Sequence, residues 1–284
     1  MLLITGATGH VGRALVDELD RKGVDFRVLL RAPRADLPDR VAQVIGDLGR
    51  PDSLAAALEN VHQVFLLVPG TGLEHTANVI AGARSTGVQH LVYLSSYAVL
   101  GEPTPAMGRW HHEREQMIRR SGIPATFLRP TGFMTNTFDW LSTIRSGYVL
   151  DPIGPGRAAP IDPADIASVA AAVLTQDCHQ DKEYTLTGAE AFTVAEQVGI
   201  LAKAIGHDLE VRPVEDAEDV VRFRYPDGAP PALAAAVVEG VRLMRADTVG
   251  LRTDAVRRIT GREPRSFADW CRQNAAAFAE PAGK

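Results

Sequence analysis

Short apolar runs alternate with longer amphipathic stretches along the first half of the chain. The apolar runs lie at 1–5, 26–30, 41–45, 63–68, 90–95 and 125–129. The stretches with helical spacing between them are 13–19, 53–59, 74–86 and 108–121. Near-continuous apolar strands suit a parallel sheet covered on both faces, and alternation with helices indicates repeated right-handed crossovers. The pattern therefore predicts a doubly wound parallel α/β sheet.

The rhythm loosens after about residue 130. Residues 147–163 are rich in Gly and Pro and predict a long loop, after which Asp162 and Asp165 begin an alanine-rich helix through Val173. The next two elements are predicted to be a strand at 182–187, which returns to the main sheet, and a helix at 193–206. For the remainder, 207–284, we expect one short strand (209–212) and two helices.

A glycine-rich turn follows the first apolar run at once. Gly6, Gly9 and Gly12 are spaced so that the backbone can turn sharply and approach a pyrophosphate at the positive end of the next helix. The turn lies between a strand and a helix, which is the context that this motif needs. We therefore predict a Rossmann-type, dinucleotide-binding fold. On this interpretation residues 1–150 bind the cofactor, and residues 151–284 form mostly a smaller α/β part that binds substrate.

Composition and net charge limit the kinds of partner that such a protein is expected to bind. The chain of 284 residues, 45% hydrophobic and 23% charged, is ordinary for a globular protein. A net charge of −5 gives no reason to expect nucleic acid or a membrane as a partner. Because no signal peptide precedes the first strand, we expect a cytoplasmic protein with Cys178 and Cys271 as free thiols. No cluster has metal-ligand spacing, so no metal is expected.

The residues after the second strand bear on which dinucleotide binds. An acidic residue there usually holds a ribose without a 2′-phosphate, but this chain has Arg31 with Arg34 close behind. A guanidinium can meet a 2′-phosphate and stack on adenine, so we expect NADP(H) rather than NAD(H); a solvated basic loop is the alternative. Residues 47–48 would edge the adenine, and residues 68–69 would follow the ribose and phosphates. The expected cofactor-binding residues are Gly6, Thr8, Gly9, His10, Val11, Gly12, Arg31, Arg34, Asp47, Leu48, Val68, Pro69, Ser95, His111, Pro130 and Phe133.

Several further segments resemble one known family, the NmrA-like proteins. This family is an atypical branch of the short-chain dehydrogenase/reductases and includes quinone oxidoreductase-like members. Besides the glycine turn, the segments that carry the resemblance are Leu94-Ser95-Ser96, the stretch from Glu113 to Pro124, Leu128-Arg129-Pro130, Phe133-Met134, Asn136, Asp162, Asp165-Ile166-Ala167, the stretch from Tyr184 to Gly188 and Thr260-Gly261-Arg262. The resemblance covers nearly the whole chain and implies an NAD(P)-binding oxidoreductase.

The resemblance also shows what this chain lacks. In the parent superfamily a Tyr-x-x-x-Lys pair, on the helix after the fifth strand, transfers the proton and holds the nicotinamide ribose. Counted back from the segment 121–124, the lysine position holds His111 and the tyrosine position holds Met107. A thioether cannot relay a proton. His111, with an ordinary pKa of about 6.5, is our candidate to donate a proton or hold the ribose; a surface histidine is the alternative.

Other side chains complete the expected site. Tyr97 is a second candidate proton donor, with a packing role in a loop as the alternative. Glu115 lies one helical turn past His111 and could orient the imidazole, or it could be a plain solvated carboxylate. The expected walls of a flat apolar substrate pocket are Tyr97, Trp110, Phe133, Met134 and Trp140. For the last three, packing between the two subdomains is the alternative.

A pocket of this kind suits a planar, apolar small-molecule acceptor. Quinones fit, and they accept hydride without a strong protein acid because the reduced oxygen is a stable phenolate. The sequence therefore predicts an NADPH-dependent reductase of a quinone or a similar electrophile. Two alternatives remain: a non-catalytic, NADP(H)-sensing regulatory protein, and a carbonyl or imine reductase of a biosynthetic pathway. A homodimer is also left open.

Overall fold

A parallel sheet forms the centre of the computed structural model, which describes residues 1–279. The strands in this part of the chain are β1 (Leu2–Ile4), β2 (Phe26–Leu30), β3 (Ala42–Ile45), β4 (Gln63–Leu66), β5 (His90–Leu94), β6 (Ala125–Pro130), β7 (Tyr148–Asp151), β8 (Glu183–Leu186) and β9 (Glu210–Pro213). Seven of them form one sheet in the order β3-β2-β1-β4-β5-β6-β8, and every neighbouring pair is parallel. The predicted doubly wound, Rossmann-type sheet is confirmed.

Helices cover both faces of this sheet. They are α1 (His10–Arg21), α2 (Pro51–Leu58), α3 (Glu74–Thr86), α4 (Ala106–Arg120), α5 (Leu141–Ile144), α6 (Pro163–Thr175), α7 (Val194–Ile205), α8 (Ala217–Arg224), α9 (Pro231–Ala246), α10 (Ala255–Thr260) and α11 (Phe267–Ala279). Short 3-10 turns add residues 97–100 and 134–140. Within the described range, none of the helices combines the length and the apolar character needed to cross a bilayer.

Among the residues that the structure describes, three apolar cores hold these layers together. On one face of the sheet, α1 and α6 pack against each other and against the strands. On the other face, α2 and α3 cover β4 and β5, and every residue of β5 is buried. In the third core, α7 and α11 pack together around Phe267 and Trp270. Met134 and Ile144 also contribute to this third core, although they precede residue 150.

Two expectations about the second half were wrong. Residues 147–163 are not all loop, because β7 lies among them and pairs in parallel with β9. The pairing partner lies about sixty residues further on, and such a distant partner leaves no local signal. Four helices, not two, occupy the described part of 207–284. Cys178 and Cys271 are free, as expected.

Candidate active site

A cleft of about 670 Å³ opens at the carboxyl ends of β1, β2 and β4. Its lining residues that the sequence analysis named are Gly6, Thr8, Gly9, Arg31, Arg34, Asp47, Leu48 and Pro69. The carboxyl edge of a doubly wound sheet is where such folds bind nucleotides. A cavity of about 820 Å³, lined mainly by residues 247–254, contains none of these residues. Size alone therefore does not identify the site; the glycine turn does.

The glycine turn fits a dinucleotide on its own geometry. Gly6 has φ +69°, a conformation that L side chains rarely adopt. A Cβ at Gly12 would lie 2.0 Å from the carbonyl oxygen of Gly6, so α1 can approach the turn only without a side chain there. A Cβ at Gly9 would meet only that same oxygen, at 3.6 Å. Packing within the protein does not require Gly9, so the missing side chain leaves space in the cleft.

The first backbone N–H groups of α1 are available to bind an anion. Gly9 is the N-cap and provides no side-chain cap, so the first N–H groups of the helix keep their hydrogen-bonding capacity. Thr8, Gly9 and His10 are exposed beside the cleft, whereas Val11 lies on the buried face of α1. A phosphate at this place would accept from the free amides and meet the positive end of the helix dipole.

The floor and rim of the cleft are fixed by side-chain hydrogen bonds. The Thr5 hydroxyl donates to the carbonyl oxygen of Leu67 at 3.0 Å and accepts from its N–H at 2.8 Å, which ties the ends of β1 and β4 together. Asp47 accepts from the N–H of Gly49 at 2.7 Å. Leu67, not Val68, lines the cleft, because Val68 is buried in the core below.

Some residues that line the cleft were not predicted from the sequence. Leu67 and His75 are examples. His75 lies in the first turn of α3, beside Asp47 and Gly49. An apolar residue at a strand end and a single histidine at a helix start carry no motif, so the only available signal was their place after β4.

A second group of predicted residues lies at the same edge of the sheet, beyond β5 and β6. Ser95 and Tyr97 follow β5, Pro130 ends β6, and Trp110 and His111 lie on α4. Because β4, β5 and β6 are adjacent and parallel, this group adjoins the glycine-lined cleft.

His111 is held by a tyrosine that the sequence analysis did not single out. The hydroxyl oxygen of Tyr93 lies 3.0 Å from Nδ1 of His111. Burial, reinforced by the positive charge of Arg114, lowers the pKa of His111 to about 4. The expectation of an ordinary histidine pKa is therefore wrong, and the imidazole is neutral at neutral pH.

The tautomer of His111 follows from its neighbours. Burial raises the pKa of Tyr93 to about 12, so the phenol keeps its proton. Among the described residues the one acceptor within hydrogen-bond reach of its hydroxyl is Nδ1 of His111, and the nearby Arg114 can only donate. Tyr93 therefore donates to Nδ1, which places the imidazole hydrogen on Nε2.

Glu115 does not orient the imidazole, and it is not a solvated carboxylate. It is fully buried and accepts from Nε and Nη2 of Arg129 at 2.9 and 2.6 Å. The Ser95 hydroxyl also donates to it, at 2.6 Å. Burial raises the pKa of Glu115, but the bonds from Arg129 and Ser95 outweigh this and lower it overall. The three residues fasten α4 to the ends of β5 and β6.

Arg114 connects the two halves of the site. Its side chain is 1% exposed, and no carboxylate of the described residues lies within 4 Å of it. Nη2 donates to the carbonyl oxygens of Gly70 and Gly72 at 2.6 and 2.9 Å, and Nε donates to Gly72 at 3.2 Å. These bonds fix the loop after β4, which carries Pro69 into the cleft, to the helix that carries His111.

The other candidate pocket residues divide into two sets. Tyr97 is mostly buried, and burial together with the charge of Asp247 raises the pKa of its phenol. Trp110 and Phe133 are half-buried, and Phe133 packs against the apolar core that holds α1 and α6 to the sheet. Met134 is buried in the third core and Trp140 packs against that core, which favours the packing alternative for these two residues.

Comparisons with known proteins agree with this site. A family model described as NAD(P)H-binding matches residues 6–177. The chain is 37% identical to the (4-alkanoyl-5-oxo-2,5-dihydrofuran-3-yl)methyl phosphate reductase of Streptomyces griseus, over 98% of this chain and 99% of that protein. It is 33% identical to the NAD(P)H azoreductase of Xenophilus azovorans, over the same shares. The structure of an NADPH-dependent quinone oxidoreductase from Escherichia coli, complexed with NADPH, has a TM-score of 0.84 at 24% identity and covers 96% of this chain and 99% of its own.

These findings define a class of protein, an NAD(P)H-dependent oxidoreductase on a Rossmann-type fold. The chain belongs to the NAD(P)H-binding family, and the NAD(P)-binding oxidoreductase that the family resemblance implied is confirmed.

Proposed function

We propose that this protein transfers hydride from NADPH to small, planar, electron-poor acceptors, of which quinones are the first class to test. The observation that carries the proposal is that the chain has both a dinucleotide cleft and a neutral His111. His111 occupies the position that holds the lysine in a reductase with the full tyrosine–lysine pair. NADPH bound in the cleft would supply the hydride. The chain's own residues would hold the two reactants together.

The chemistry of His111 limits the acceptors. With a pKa of about 4 it is not an imidazolium at neutral pH, so it can offer a hydrogen bond from Nε2–H but no readily released proton. The acceptor must therefore stabilise its own negative charge after reduction. Quinones do so, and azo groups and unsaturated lactones, named for two of the relatives, are conjugated acceptors of the same general kind.

NADPH is the proposed cofactor because of the charges at the cleft. Arg31 and Arg34 line it just after β2, where an acidic residue would repel a 2′-phosphate. The glycine turn and the start of α1 would hold the pyrophosphate. His111 would bond to the nicotinamide ribose or to the acceptor, with Tyr97 as the other donor. In this proposal residues 1–150 serve the cofactor and residues 151–284 mostly shape the acceptor pocket.

The experiment is NADPH oxidation by the purified protein against a panel of quinones, with NADH in parallel. We expect turnover that prefers NADPH. His111→Ala should lower turnover about tenfold or more, since a hydrogen bond to a charged group is lost, and should change NADPH affinity less. His112→Ala is the control, because its side chain is exposed on the same helix. Unchanged turnover in His111→Ala removes this residue from the mechanism.

The panel also separates the alternatives. Tight NADPH binding without turnover of any acceptor would favour a sensor of NADP(H). Turnover of unconjugated ketones or imines, but not of quinones, would favour a carbonyl or imine reductase. Equal affinity for NADPH and NADH would contradict the proposed cofactor preference.

A further inference from the structure

One of the two arginines at the cofactor cleft already holds an anion of the protein itself. Nε and Nη2 of Arg34 donate to the two carboxylate oxygens of Asp36 at 2.8 and 3.0 Å. Arg31 lines the same cleft and has no carboxylate partner among the described residues. Arg34 thus binds the carboxylate in the bidentate geometry with which a guanidinium also binds a phosphate.

Asp36 has a second partner away from the cleft. Arg13, on α1, contacts the Asp36 carboxylate, and its Nη1 donates to the Asp36 carbonyl oxygen at 2.6 Å. Arg13 does not line the cleft. If the carboxylate left Arg34, Arg13 would still neutralise it.

The backbone around this cluster is anchored. The N–H of Arg34 donates to the side-chain oxygen of Gln43 at 2.9 Å, and Nε2 of Gln43 donates back to the Arg34 carbonyl at 2.8 Å. Leu37, the residue after Asp36, is buried in the core beside α1. Only side-chain rotation is therefore needed to exchange the partner of Arg34.

We propose, resting on the NADPH assignment above, that Asp36 is an internal competitor for the cofactor's 2′-phosphate, and that its carboxylate holds Arg34 until a 2′-phosphorylated cofactor replaces it. The 2′-phosphate carries up to two negative charges and three acceptor oxygens, whereas the Asp36 carboxylate carries one negative charge and two acceptor oxygens. Arg31 and Arg34 can then grip it together. NADH has no group that takes over Arg34, so it leaves the Asp36 pair intact.

The pair is ionised under all ordinary conditions. The hydrogen bonds from Arg34, followed by those from Arg13, hold the pKa of Asp36 well below its usual range. The carboxylate is 45% exposed, so bulk salt screens the pair and the competition is modest in size.

The test is the affinity of Asp36→Asn for NADPH and for NADH, measured by nicotinamide fluorescence at low ionic strength. Since an exposed pair of this kind is worth a factor of about two to five in affinity, NADPH should bind that much tighter, with NADH unchanged. Asp39→Asn is the matched control, because it removes an exposed carboxylate three residues away that has no ion pair in the described chain. In an Arg34→Gln background the gain from Asp36→Asn should vanish.

Each outcome bears on one claim. Weaker or unchanged NADPH binding in Asp36→Asn overturns the competitor role, as does an equal gain in Asp39→Asn. Equal affinity of the unmodified protein for NADPH and NADH would contradict the cofactor preference instead. A selective gain for NADPH in Asp36→Asn would support the competitor role even then.

Discussion

Removing one oxygen atom, by Tyr93→Phe, tests the state of His111 that the proposed mechanism uses. The variant keeps the buried ring but takes the donor from Nδ1, 3.0 Å away. A buried hydrogen bond contributes about 1 kcal/mol, so the tautomer with hydrogen on Nε2 loses that preference and turnover should fall about fivefold. Affinity for NADPH should change little, because the glycine turn and the arginines are untouched.

The chain provides a matched control. The hydroxyl of Tyr184, on β8, lies 2.9 Å from Nδ1 of His179, so Tyr184→Phe removes the same kind of bond from a pair that lines no part of the candidate site. The assay is the rate of NADPH oxidation at saturating cofactor, with urea unfolding run beside it. Equal loss of turnover in both variants would refute the reasoning, since it would point to general destabilisation. So would a further loss from Tyr93→Phe in the His111→Ala background, where the bond no longer exists.

Two further predictions concern stability. Glu115→Gln removes the buried carboxylate that pairs with Arg129, while Arg129 keeps the half-exposed Glu183 as a partner, so the free energy of unfolding should fall by about 1.5–3 kcal/mol in urea titrations; the exposed Glu113→Gln should change it by less than about 0.5 kcal/mol, and a similar small change in Glu115→Gln would contradict the argument. Burial lowers the pKa of His90 to about 4. Between about pH 6.5 and 4 the unfolded chain therefore binds more protons than the folded one. The free energy of unfolding should decrease as the pH is lowered across that window, and protonation of His90 should account for about 2 kcal/mol of the loss at pH 5. His90→Gln should show a shallower decline between about pH 7 and 5 in the same titrations, and a parallel decline would exclude His90 as its cause.

The sheet was predictable because its signals are local. The strands of the first half are short, mainly apolar runs, and the glycines of the turn that begins at Gly6 have a spacing that few other structures require. The smaller part lacks such signals. β7 becomes a strand only through pairing with β9, and half of the residues in the short α8 are charged, so it resembles a polar segment along the chain.

The site was predictable where a motif fixed it, and less so elsewhere. Eight of the sixteen residues that line the cleft were predicted, from the glycine turn and from the strand ends. The state of His111 does not, because it depends on Tyr93, eighteen positions earlier in another element, and on the charge of Arg114. Glu115 was misinterpreted for the same reason: helical spacing suggested His111 as its neighbour, while the fold supplies Arg129 from β6.

The place of β8 in the sheet has a consequence for how the chain acquires its structure. β8 joins beside β6 only after the chain has passed through β7 and α6, and α6 supplies the surface that covers Leu15 and Val16 of α1. During synthesis the glycine turn therefore emerges long before its supporting helix is covered. A fragment ending at residue 150 would contain the expected pyrophosphate-binding residues but would leave this apolar face in water, where it would promote aggregation. The proposed boundary near residue 150, between cofactor-binding and acceptor-binding residues, is thus not a boundary between two parts that fold independently.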